Sequence, residues 1–213
     1  GPGQLLERGP ARIVAAGLVS GSSGNVSRRI STPSGDVFAV TASRVPYHRF
    51  GIEDVLVVDA EIDPVVGDGI PSSESLAHMA VYRVRPDVGA VIHTHSVYAS
   101  AFAVAGQPIP CVLDEQVVLL GGAVAVAEYG PSASEQLADN AVAALGERAA
   151  VLLRHHGVLA VGADIDEAVA VADLVERVAK IRLLSVSLGG AHELTADIVG
   201  AEAHVYRMMK GFK

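Results

Sequence analysis

In two places, apolar runs of strand character lie too close together for anything but a hairpin. Residues 149–154 and 158–161 are separated only by His155-His156-Gly157. Residues 26–30 and 37–41 are joined through Thr32-Pro33-Ser34-Gly35-Asp36, a turn signal. Parallel neighbours need a crossover of a dozen or more residues, so these pairs must run antiparallel. A purely parallel, doubly wound sheet is excluded, and the helical segments elsewhere need a sheet face to cover. The expected fold class is α/β: a mainly antiparallel central sheet sandwiched between helical layers.

The other elements follow from periodicity and punctuation. A helix is expected over residues 4–18, interrupted or restarted at Gly9-Pro10. Residues 55–59 form a third strand. Ser72 or Ser73 caps a helix that runs to about Arg85 and stops at Pro86. Residues 88–96 form a strand, 97–105 a short helix ended by Gly106, and 123–127 a further strand. Ser132-Ala133-Ser134-Glu135 has the form of a capping box opening a helix to Gly146. The longest helix starts at Asp164-Ile165-Asp166-Glu167 and ends at Gly189-Gly190. The last helix covers about 195–210. No linker, repeat or low-complexity tract divides the 213 residues, so one domain over 4–210 is expected.

Charge and cysteine content narrow the function classes. Acidic residues outnumber basic ones 24 to 16, for a net charge of -8, and Arg28-Arg29 is the only basic pair of note. A nucleic-acid-binding chain would carry a basic stripe, so no nucleic-acid partner is expected. The single cysteine, Cys111, excludes an internal disulfide framework and a Cys-based zinc finger. The longest apolar regions are broken by charges such as Asp173, Glu176 and Arg177, so no membrane association is expected. Gly1-Pro2-Gly3 is set aside from fold reasoning, and no basic-then-apolar segment opens the chain. A cytoplasmic setting is the expectation.

The chemistry-bearing residues are histidines and one glutamate. His93 and His95 are two apart on the expected strand, so both imidazoles point to one face and suit a shared metal ion. His155-His156 ends another apolar strand. If the two segments meet, one of that pair completes a three-nitrogen site, and three protein ligands plus an open position is the catalytic zinc pattern. Glu74 stands at a helix start, where the dipole favours its charged form. It is either a helix-stabilising residue or a functional carboxylate. His78, four residues on, shares its helix face and reads as packing or support. The Gly24-Asn25-Val26-Ser27 loop and the helix start at Ser72-Ser73 both offer N–H and side-chain groups to a phosphate, though each is also an ordinary turn or cap signal.

In order along the chain, Gly24-Asn25-Val26-Ser27, Val45-Pro46-Tyr47, Pro71-Ser72-Ser73-Glu74, Arg85-Pro86-Asp87, His93-Thr94-His95 and His155-His156-Gly157 resemble the class II aldolase/adducin-domain family. The nearest branch in pattern is that of the L-fuculose-1-phosphate aldolases. The resemblance implies that His93, His95 and His156, but not His155, hold one Zn2+ per subunit. It implies Glu74 as the catalytic acid/base and Asn25, Ser72 and Ser73 at the substrate phosphate, with Ser43 and Arg44 aligned beside them and Arg44 suited to either a phosphate or a carboxylate. It further implies reversible cleavage of a small ketose 1-phosphate to dihydroxyacetone phosphate and an aldehyde, by a homotetramer with active sites between subunits. Glu74 favours an aldolase over the related ribulose-phosphate 4-epimerases, which resemble Ser-Ser-Asp here. A 3-keto acid decarboxylase and a non-catalytic adducin-like interaction module are the other family alternatives.

Two departures stand out. Ser43-Arg44 occupies the place of a Thr-Gly pair. No Tyr follows Ile109-Pro110, where the branch has a catalytic one; Tyr206 is the stand-in for the branch's C-terminal Tyr.

Overall fold

The computed structural model describes residues 2–212. In chain order the elements are α1 (Pro2–Ala15), β1 (Asn25–Thr32), β2 (Gly35–Thr41), β3 (Val55–Val58), β4 (Pro64–Val66), α2 (Ser75–Val84), β5 (Ala90–Thr94), α3 (Val97–Ala105), α4 (Asp114–Leu120), β6 (Val126–Ala127), α5 (Glu135–Leu145), β7 (Ala150–Leu153), β8 (Gly157–Gly162), α6 (Ile165–Ser185) and α7 (Ala196–Lys210). The strands form one eight-stranded sheet in the order β4-β3-β2-β1-β5-β8-β7-β6. Both expected hairpins are present, with Thr32 opposite Gly35 and Leu153 opposite Gly157. The sheet is mixed: β6 pairs with β7 in parallel, and the other neighbours are antiparallel.

The period-two alternation of the strands feeds two apolar clusters. On β5, Ala90 and Ile92 join a cluster with Ile13 of α1, Ala99 and Ala103 of α3, and Ala172 and Val175 of α6. Val91 joins the other, with Met79, Val81 and Tyr82 of α2 and Leu137 and Leu145 of α5. Apolar helix faces thus meet both sides of the sheet, and burying a Leu or Met side chain in this way stabilises by about 1.5–3 kcal/mol. Among the described residues, no helix is long and apolar enough to cross a membrane.

Several local expectations are corrected. α1 continues through Pro10 without a break. Gly9, the residue before that proline, lies so close to β1 that an added Cβ would sit 3.0 Å from Val26 Cγ1. At α5 the cap is Ser134, whose Oγ accepts from Leu137 N–H at 3.1 Å; Ser132 caps nothing, because Ala133 takes φ = 60° and turns the chain between them. α6 ends at Ser185, and one tighter turn carries the chain to Gly189, whose φ of 102° ends it. The strand expected over 88–96 shrinks to β5, so His95 lies just beyond the ladder. Neither β4 nor α4 was expected: β4 is three exposed residues at the sheet edge, and α4 is only seven residues long.

Candidate active site

Antiparallel pairing brings one end of five strands together. β1 begins at Asn25, β2 ends at Thr41, β5 ends at Thr94, and β7 hands over to β8 through Arg154-His155-His156. Asn25 lies directly opposite His93, and His93 opposite Leu159. Segment 70–74 joins the same edge: Ala42 pairs with Pro71, Ser43 N–H donates to Ile70 O at 2.8 Å, and Ser72 N–H donates to Thr41 O at 3.2 Å. The result is a cavity of about 180 Å3 lined by His93, His95, His156, Glu74, Asn25, Ser43, Arg44, Ser72 and Ser73, and also by Ser22, Ser23, Gly24 and Ala42. Asn25, Ser43, Arg44, Ser72, Ser73, Glu74, His93, His95 and His156 therefore line one space, whereas Ser27, His155 and Tyr206 do not.

The three imidazoles present ligand nitrogens that all lie within 4.8 Å of one another. His93 is buried in β5, His95 is exposed, and His156 is intermediate. The acceptor carbonyl of Val158, 2.9 Å from His93 Nδ1, assigns the proton to that nitrogen and leaves Nε2 bare toward the cluster. His93 Nε2 and His95 Nε2 are 2.8 Å apart. A tetrahedral ion with 2.0–2.1 Å bonds would hold them about 3.3 Å apart, so a shift of roughly 0.5 Å admits it. Desolvation disfavours the charged form of all three rings. It pushes His93 well below the ordinary imidazole range, helped by the neighbouring His156 and His95. It also lowers His95, and it lowers His156 to about 4 with a contribution from His95. Three imidazoles with ring nitrogens facing one point are a donor set that suits a divalent ion once those nitrogens are deprotonated.

Two glycines make this packing attainable. A Cβ at Gly24, which has φ = 79°, would lie 2.6 Å from His93 O. One at Gly157 would lie 2.3 Å from Thr94 O and close to both His95 and His93. The left-handed residue of the β7–β8 turn is not Gly157 but His155, at φ = 57°. That turn sends the His155 ring edge-on to Tyr129, apart from the cluster.

Glu74 is the N-cap residue of α2 and is buried. Its Oε1 lies 3.9 Å from His156 Nε2. At the helix start, where the dipole favours the carboxylate, burial acts in the opposite direction. Desolvation raises its pKa, and the opposing hydrogen bond from the Ala133 backbone does not cancel that rise. The Ala133 contact carried no sequence signal, because any residue supplies an N–H. Ser72 Oγ accepts weakly from Glu74 N–H at 3.4 Å. Asn25 is buried, and its Oδ1 faces the site without a partner among the described residues. Arg44 is exposed at φ = 62°.

Beneath the site, on the α2 face of the sheet, His78 Nδ1 and Ser27 Oγ are 2.7 Å apart, and Ser27 Oγ and Tyr82 OH are 2.9 Å apart. His78 is a supporting residue, as its helix position suggested. Tyr206 is elsewhere: its hydroxyl donates to Glu147 O at 2.8 Å and its ring packs beside Gly121.

A family model described as Class II Aldolase and Adducin N-terminal domain matches residues 10–183. Similar curated proteins include the 5-deoxy-D-ribulose 1-phosphate aldolase of Bacillus thuringiensis serovar kurstaki. It is 33% identical over 186 residues, 87% of this chain and 86% of that protein. The L-fuculose phosphate aldolase of Escherichia coli O6:H1 is 32% identical over 172 residues, 81% of this chain and 78% of that protein. Among solved structures, an L-fuculose 1-phosphate aldolase superposes with a TM-score of 0.89 at 31% identity, over 96% of this chain and 95% of that one.

Proposed function

The chain belongs to the Class II Aldolase and Adducin N-terminal domain family, and from that premise we propose that it is a zinc-dependent aldolase cleaving a small ketose 1-phosphate. The products would be dihydroxyacetone phosphate and an aldehyde, and the reaction is reversible. The chain is an enzyme of the lyase class, as its aldolase relatives are. One observation carries the reading: three clustered imidazoles and a buried carboxyl share one cavity with hydroxyl, amide and guanidinium groups. An adducin-like interaction module has no use for that donor set. The domain is taken to span residues 4–210.

His93, His95 and His156 would hold the ion, and the donor set fits zinc. When bound, a divalent ion supplies Lewis-acid stabilisation of the negative charge that develops on the ketone side as the carbon–carbon bond breaks. Glu74 moves the proton. Burial raises its pKa above the ordinary carboxyl value, the Ala133 backbone hydrogen-bonds to it, and its Oε1 faces His156. Asn25, Ser43, Ser72 and Ser73 orient the phosphate through neutral donors, and Arg44 adds a guanidinium charge to the cavity lining. Fixing that end of the substrate keeps the scissile bond aligned with Glu74.

Incubating the protein with ketose 1-phosphates, L-fuculose 1-phosphate and 5-deoxyribulose 1-phosphate among them, tests the reading by enzymatic detection of dihydroxyacetone phosphate. Release that stops on chelation and returns with Zn2+ is the expected result. Absence of release from every ketose 1-phosphate would overturn it. A homotetramer with intersubunit active sites is part of the proposal and predicts a mass near four times 21.9 kDa in light scattering.

A further inference from the structure

We infer that Glu176, on the far helix α6, is a positioning residue for the histidine cluster, acting through α3. The inference rests on the metal reading proposed above. His95 sits between the end of β5 and the start of α3, outside any ladder, so its place depends on how α3 is anchored. The residue that should cap α3 does not: Ser96 makes no capping bond, and its buried Oγ has no partner among the described residues. Glu176 does the work instead. Its Oε1 accepts from Tyr98 N–H at 2.9 Å and its Oε2 from Ala99 N–H at 2.8 Å. Both carboxylate oxygens are thus engaged by the first turn of α3, where the helix dipole favours a negative charge. Lys180, one turn along α6, places its Nζ 5.3 Å from the Tyr98 ring centroid and holds the same turn from the side.

The other end of α3 reaches the third ligand. Ala103 O accepts from His155 N–H at 3.4 Å, next to His156. α3 is therefore a strut whose start follows His95 and whose last turn touches the His155-His156 turn. A carboxylate fixed to α6 sets where that strut lies. Metal–ligand bonds tolerate about ±0.2 Å, so a loosened strut is felt by two of the three ligands.

Zn2+ affinity of the metal-free protein, by competition with a chromophoric chelator, and the visible spectrum of the Co2+ form test this. Glu176→Ala should weaken Zn2+ binding by about tenfold and alter the Co2+ bands. Glu176→Gln, which keeps the shape but only one acceptor, should fall between it and the unaltered protein, and it carries the test if the Ala variant does not fold. Loss of thermal stability alone, with Zn2+ affinity and the Co2+ spectrum unchanged in the folded variants, would overturn the inference and leave Glu176 a simple helix cap. Failure of the unaltered protein to bind either ion would overturn the metal reading itself, and this inference with it.

Discussion

Gly157→Ala is the substitution that most directly asks whether the histidine cluster is a built site. The added Cβ would lie 2.3 Å from the Thr94 carbonyl oxygen, 3.1 Å from His95 Cδ2 and 3.2 Å from His93 Cε1. An ordinary carbon–oxygen contact is roughly 1 Å longer than the first of these. β8 cannot slide away freely, because Gly157 pairs with Leu153 on one side and its neighbour Val158 with Thr94 on the other. Relief must come from parting β5 and β8, and that moves His93 and His95 relative to His156. A displacement near 1 Å is several times the ~0.2 Å tolerance of a metal–ligand bond. Overpacking against backbone costs about 1–3 kcal/mol, which in a chain of this size lowers the melting temperature by roughly 2–12 °C. Zn2+ affinity of the folded protein should fall by about 10–100-fold, a loss that a lower melting temperature does not by itself produce. Calorimetry of the metal-free protein and chelator competition for Zn2+ measure the two separately. Gly200→Ala, on α7 with nothing within 4 Å of its new Cβ, is the control and should leave both unchanged or improve stability. A Gly157→Ala protein that binds Zn2+ like the unaltered one would refute the argument that close strand approach sets the cluster.

Glu74→Gln should leave Zn2+ content intact and reduce turnover by about 10²–10⁴-fold; an active, metal-loaded Gln variant removes Glu74 from the proton transfer. Arg44→Gly should stabilise the fold by about 0.5–1 kcal/mol, since Arg44 holds φ = 62°, while weakening substrate binding. Arg44→Ala should weaken binding equally without the stability gain, and unchanged KM in both variants would take Arg44 out of recognition. Burial lowers His78 to about 3, so the folded protein resists a proton that the unfolded chain takes up near pH 6.5. Its contribution is whole above pH 6.5 and lost as pH falls toward 3, amounting to about 3 kcal/mol between pH 7 and pH 4. Urea unfolding of His78→Asn across that range should be flatter than that of the parent by this amount, and parallel curves would show that His78 does not titrate on unfolding.

Residue spacing made some of this molecule legible and hid the rest for identifiable reasons. The hairpins were readable because connections of three and six residues can only reverse a chain. His93 and His95 were readable as a pair, although only His93 is on the ladder; the two rings converge across the strand end with centroids 4.7 Å apart. The short elements escaped. β4 has no buried residue to produce alternation, and α4 is two turns long, too short for a helical period to show. Glu74 illustrates a competition that position alone cannot decide: a helix start favours the carboxylate, but burial of the same group favours the acid, and here burial wins. Ala133 and Glu176 were invisible for opposite reasons. One acts through a backbone N–H that its side chain does not advertise. The other is one charge among many on a long helix, and only the packing of α3 on α6 shows what it caps.

The site also depends on register in a way that ties it to both cores. Asn25, His93 and Leu159 form one row across β1, β5 and β8. A slip of β5 by one residue would turn His93 away from Asn25 and toward the α3–α6 side of the sheet. The same slip would exchange Val91 with Ile92 between their two clusters, so every buried side chain on the strand would change faces. Each exchanged side chain would meet a space shaped for another, and such misfits in a packed core cost about 1–3 kcal/mol, as much as or more than a single hydrogen bond at the cluster contributes. The cores therefore hold the register, and the register places the first histidine. The histidines lie where the ladders end, so the remaining freedom is confined to the β5–α3 and β7–β8 connections. Those are the two segments that α3 spans, which is why a change on α6 should be felt at the histidines while the sheet beneath them stays as it is.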